Sequence, residues 1–76
     1  MAFKRRINQE VTLDKCEVIY KTEKAVLIEW KAHGEIFNAW VPRSVCTDGQ
    51  TLQPGDKDII VQEWFAEKEG LPYREE

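Results

Sequence analysis

Between Asp14 and Val41 the chain alternates apolar and polar side chains in three runs, separated by two short polar breaks. A period of two puts successive side chains on opposite faces of an extended strand, and no helix, with its 3.6-residue repeat, can match it. In the first run, DKCEVIYK, Cys16, Val18 and Tyr20 alternate with Lys15, Glu17 and Lys21, and Ile19 adds an apolar group to the polar face. KTEK at 21–24 suits a hairpin break. The second run, AVLIEWK, places Val26, Ile28 and Trp30 on one face and Ala25 and Leu27 on the other. A strand apolar on both faces in its first half is expected at the centre of a sheet. AHGE at 32–35 is the second turn, with Gly34 free to take a positive φ. The third run, IFNAWV, directs Phe37, Ala39 and Val41 one way and Ile36, Asn38 and Trp40 the other. Pro42 ends it, because proline donates nothing to a ladder. RSVC then predicts a short turn or a single 3₁₀ turn.

The flanks are less regular. Residues 1–12 show no clean period and are expected to form an arm, flexible in the simplest case. TDGQTLQPGDKD (47–58) is polar, is broken by Asp-Gly and Pro-Gly, and predicts a loop with a brief hairpin around Leu52. DIIV (58–61) is the fourth predicted strand. The period then changes, because Val61, Trp64, Phe65 and Lys68 fit one helical face. Gly70, Leu71 and Pro72 form a three-part stop signal, so a helix of two turns should end near Glu69, leaving 72–76 as a tail. Trp64 and Phe65 together make a wide apolar stripe, expected to cover the core, with one of the pair as an exposed interface anchor the alternative. The expected fold is mainly β with a short C-terminal helix, curled into a small SH3-like or partly open β-barrel. An OB-like barrel, or an α+β sheet with one packed helix, is the alternative.

At 76 residues there is room for one core and one domain, 1–76. A core of this size leaves only a few kcal/mol of net stability, so few apolar residues are free for other roles. The balance of 42% hydrophobic and 33% charged residues is that of a globular chain, not a disordered one. No apolar run is long enough to span a membrane, and MAFKRRINQE has a basic cluster without the apolar stretch of a secretory signal. A cytoplasmic protein is expected. Cys16 and Cys46 lie 30 residues apart with no CxxC spacing, and both are expected to be reduced and to act as small apolar groups. His33 has no second histidine or cysteine at ligand spacing, so neither a metal nor another cofactor is expected.

The net charge of −3 is uneven: Lys4, Arg5 and Arg6 make a basic head on a mildly acidic body. That is not the footprint of a domain that binds duplex nucleic acid over its main surface. The basic head, with Tyr20, Trp30 and Trp40, could still offer an aromatic and cationic platform for a single strand. No paired acids, phosphate-cradling glycine loop or serine nucleophile motif points to an enzyme.

Trp40-Val41-Pro42-Arg43-Ser44 resembles the strand, proline and 3₁₀ stretch of SH3 domains, although the acidic loop and paired tyrosines of an SH3 N-terminus are missing. The resemblance implies an aromatic-flanked groove for an extended, proline-rich ligand. A wider pattern is similar to small uncharacterised proteins of bacteriophages and prophages. It runs from Tyr20-Lys-Thr-Glu-Lys-Ala-Val-Leu through Gly34 and Trp40–Ser44 to Glu63-Trp-Phe-Ala-Glu-Lys-Glu-Gly-Leu. That likeness implies an accessory or host-targeting protein and assigns no site.

Ile19, Ile36 and Trp40 fall on faces where a one-sided sheet would be polar. The helix, the N-terminal arm or another chain must then cover them, and a homodimer would be the simplest case of the last. The expected function is therefore non-enzymatic binding of a protein partner, through Trp40 and Arg43 with Tyr20 and Trp30 near them. Single-stranded nucleic-acid binding through Lys4, Arg5 and Arg6, and inhibition of a host nucleic-acid enzyme, are the alternatives.

Overall fold

A computed structural model describes residues 9–74. The strands are β1 (Glu10–Thr12), β2 (Glu17–Lys21), β3 (Ala25–Ala32), β4 (Glu35–Pro42) and β5 (Ile60–Gln62), followed by helix α1 (Glu63–Glu69). Two 3₁₀ turns, Arg43–Val45 and Gly49–Thr51, lie between β4 and β5. The protein is thus mainly β with one short C-terminal helix, and the strands form two antiparallel sheets, β1-β5 and β2-β3-β4. Among the described residues no continuous ladder closes the two sheets into a barrel. Beyond the end of β4, Cys46 makes a single pairing with Val61 of β5.

β3 is the central strand, as its two-sided apolar pattern requires. The hairpin to β4 turns on His33 and Gly34, both at positive φ (54° and 79°), and the register runs unbroken from Ala32↔Glu35 to Ala25↔Pro42. Val18, Val26, Ile28 and Val41 point inward from this sheet. Leu13, Cys16, Ile59, Val61, Phe65, Ala66 and Leu71 meet them from the other side and complete one buried cluster. Of the expected set on β3 and β4, Val26, Ile28 and Val41 are buried and Trp30 and Ala39 pack at the margin, whereas Phe37 near the hairpin tip is 38% exposed.

Three expectations are corrected. The segment 1–12 is not wholly an arm, because Glu10–Thr12 pairs with β5 in the register Glu10↔Gln62 and Thr12↔Ile60. No period announced so short a strand; a distant partner specifies it. The loop 47–58 makes a 3₁₀ turn rather than a hairpin around Leu52. Trp64 and Phe65 are not both core: Phe65 is buried, while Trp64 is 43% exposed and touches Phe65 edge to face. A seven-residue helix lying on one sheet has only one covered face, and adjacent residues cannot share it.

The end of α1 is where the local signal places it. Gly70 has φ 70°, its N–H reaches Glu67 O at 3.3 Å, and the N–H of Leu71 reaches Ala66 O at 2.8 Å. These two bonds satisfy the last helical carbonyls and bury Leu71. The chain then returns beside β1, with Asp14 N–H bonded to Pro72 O and Arg74 N–H to Thr12 O. Arg74 also bridges Asp58 at 2.9 Å and Asp14 at 3.5 Å across the surface.

Candidate functional site

The face of β2-β3-β4 turned away from the core carries Tyr20, Leu27, Glu29, Lys31, Ile36, Asn38 and Trp40. A face in water should be mostly polar, yet Ile36 is 60% exposed, Tyr20 58%, Trp40 49% and Ile19 39%. Tyr20, Trp40 and Ile19 group at one end of this face as a patch, and the polar row Glu17–Glu29–Asn38 separates them from Ile36 near the hairpin tip.

The patch owes its aromatic centre to a β-bulge. Val18 pairs with Ile28, but the next pair is Tyr20 with Leu27, so Ile19 is an extra residue in β2. The inserted residue moves Tyr20 from the inner face, where strict alternation puts it, to the outer face. There its ring meets Trp40 edge to face, with centroids 6.1 Å apart and planes at 83°. Both residues are partnered with Leu27 across its two ladders, so the rings flank that side chain, which stays half-buried. The break in alternation at Ile19 was the sequence signal for this arrangement.

The remaining predicted residues separate. Trp30 is on the inward-facing side, stacked on Phe37 near the hairpin tip with centroids 5.8 Å apart and planes at 20°. It does not join Tyr20 and Trp40. Arg43, expected beside Trp40 on the surface, is only 8% exposed. Its Nε donates to Thr22 O at 3.1 Å, and its Nη1 donates to the carbonyl oxygens of Gly49 and, at 3.3 Å, Leu52. The guanidinium is thereby an internal clamp that fastens the β2–β3 turn to the second 3₁₀ turn. A Cβ on Gly49 would lie 3.0 Å from the Arg43 carbonyl carbon, so only glycine fits against this backbone. Lys4, Arg5 and Arg6 lie outside the described residues.

The electrostatics of the outer face are mixed. Glu17 and Glu29 are directly opposite each other at its end near Lys15 and Lys31. The two carboxylates are balanced by the two lysines, so this end presents no net positive charge to a phosphate backbone.

A polar cleft of about 390 Å³, lined by Lys15, Cys16, Glu17, Lys57, Asp58 and Arg74, opens elsewhere on the surface. Burial pushes the Cys16 thiol up to about 11, with the Asp14 charge adding to the rise. Burial likewise pushes Cys46 up to about 11 against the opposing pull of Arg43. Both are free thiols, and at neutral pH neither is an activated nucleophile. Among the described residues no cluster of histidine, cysteine or carboxylates could hold a metal, and no helix is long and apolar enough to cross a membrane. No family model, curated protein or solved structure matches the chain.

Proposed function

We propose that this protein is a non-enzymatic, cytoplasmic binding module that engages a protein partner through the outer face of β2-β3-β4. One observation carries the proposal: Tyr20 and Trp40 form an exposed aromatic pair beside Ile19 on the side of the sheet away from the core. Large amphipathic rings on a rigid strand scaffold lose little entropy on binding and make strong interface anchors. The partner would present a flat apolar surface with a polar rim. Glu17 and Glu29, which balance Lys15 and Lys31, favour such a partner over a single-stranded nucleic acid, which would need a basic groove beside the aromatics. The role fits an accessory protein of a phage or prophage. A small, partly open SH3-like barrel is the fold we assign within the mainly-β class. Its support is the pairing of β1 with β5, the single Cys46–Val61 bridge that sets the segment after β4 against β5, and the 3₁₀ turn after Pro42.

The test is site-specific photocrosslinking in host lysate, with a benzophenone side chain at Ile36 and, as a control, at Lys68 on α1. A protein adduct is expected from position 36 and not from 68. It should survive nuclease and disappear when Tyr20→Ala and Trp40→Ala are introduced into a chain that remains folded. A nuclease-sensitive adduct would replace the proposal with nucleic-acid binding. An adduct unaffected by the two substitutions would remove this face from the function.

A further inference from the structure

The two edges of the three-stranded sheet are treated differently. In β2 the N–H of Val18 donates to Asp56 O at 3.0 Å, and Val18 O accepts from Gly55 N–H at 2.7 Å, so a loop caps that edge. Just past β4, the bond from Arg43 N–H to Lys24 O fixes which β4 residues face β3. With the unbroken register, the backbone groups of Glu35, Phe37, Ala39 and Val41 point to β3, and those of Ile36, Asn38 and Trp40 point away from it. No backbone or side-chain partner meets those three among the described residues.

Exposed edges are usually blunted by lysine, proline or a bulge. Here Pro42 stands only at the end of β4, and the outward-bonding residues Ile36, Asn38 and Trp40 are uncharged.

We propose that a second copy of this chain adds its own β4 to that edge, antiparallel, with the two-fold axis at Asn38. In this register Asn38 pairs with Asn38 of the second copy, and Ile36 with Trp40 of the second copy. Each pair uses residues whose backbone donors and acceptors already point outward. The next pair sets Pro42 against Gly34, where proline's missing donor costs only one terminal bond. On the other face Glu35 lies opposite Val41 and Phe37 opposite Ala39, so no like charges meet. The side chains of Ile36 and Trp40 come together on the outer face and cover each other's exposed apolar area. The result is a six-stranded sheet, β2-β3-β4-β4-β3-β2, with two Tyr20–Trp40 pairs on one continuous face.

This goes beyond the binding of another protein; it draws on Ile36 and Trp40 of the same face but is tested separately, on the purified chain alone. Sedimentation from micromolar to millimolar concentration should show the mass rising from 8.9 kDa to roughly twice that value. Amide exchange followed by NMR should show Phe37, Ala39 and Val41 protected at every concentration. Ile36, Asn38 and Trp40 should become protected only as the dimer forms. Asn38→Lys, which sets like charges face to face, and Asn38→Pro, which removes the axial donor from an edge strand, should each abolish the dimer while the β3–β4 amides keep their protection. A monomer at all concentrations would overturn the proposal. So would protection at 36, 38 and 40 that dilution does not change, or a dimer that survives both Asn38 substitutions.

Discussion

Tyr20 and Trp40 meet edge to face at 6.1 Å although they stand on the two outer strands of the sheet, with Leu27 on the strand between them. The contact depends on Ile19, whose insertion into β2 puts Tyr20 opposite Leu27 instead of opposite Val26. A T-shaped pair contributes about 0.5–1.5 kcal/mol beyond its buried area, and Trp40 is half-exposed, so Trp40→Ala should lower stability only modestly. Affinity for the partner should fall by about 2 kcal/mol or more, the scale of an interface anchor. Urea unfolding and calorimetric titration of the same variant separate the two effects. Global unfolding of Trp40→Ala would assign the ring to the core.

Arg43 should behave oppositely, with a large effect on the fold and little direct effect on binding. Its guanidinium holds the carbonyls of Thr22, Gly49 and Leu52 in a site that is nearly closed to water. Arg43→Met leaves those carbonyls without their charged donor, and a loss of about 2–4 kcal/mol is expected. Arg43→Lys should recover little, since an ammonium cannot reproduce a fork that reaches both turns. Denaturant midpoints for the two variants check this, and a Met variant as stable as the parent would dismiss the clamp.

Gly70 offers a test of a purely local requirement. Nothing lies within 4 Å of where its Cβ would stand, so Gly70→Ala is opposed by its φ of 70° and not by crowding. The left-handed conformation costs a non-glycine residue about 1–2 kcal/mol. Thermal unfolding should show a loss of about that size, and Gly70→Asn should lose less, because asparagine tolerates this region better.

The two thiols predict an alkaline weakness. Cys16 and Cys46 sit at about 11 in the folded protein against 9.0 for a free thiol. Above pH 9 the unfolded chain therefore releases protons that the native chain retains, and unfolding is favoured. Their contribution to stability is full below pH 9 and is lost as the pH climbs from 9 to 11. Urea midpoints across that window should fall less steeply in the Cys16→Ala/Cys46→Ala double variant. Identical slopes would clear the thiols. In native protein near neutral pH, Cys16 should react with a thiol reagent only as fast as the core opens.

By itself the sequence determined the parts governed by near neighbours. Alternation marked β3 and β4 and sorted their faces, Pro42 stopped β4, and Gly70-Leu71-Pro72 stopped the helix, because each depends on dihedral preferences within a few residues. It also flagged Ile19 and Ile36 as apolar groups on a face that should be polar. Tertiary structure decided the rest. β1 exists because β5 pairs with it, and three residues carry too little periodicity to show that alone. Arg43 is buried because two turns distant in sequence offer carbonyls to one guanidinium, whereas its charge suggested the surface. Tyr20 changed faces because of a bulge whose position is set by how β2 docks on β3. Trp30 and Trp40 share a period with their neighbours but belong to different strands, and only the pairing of those strands put them on opposite sides of the sheet.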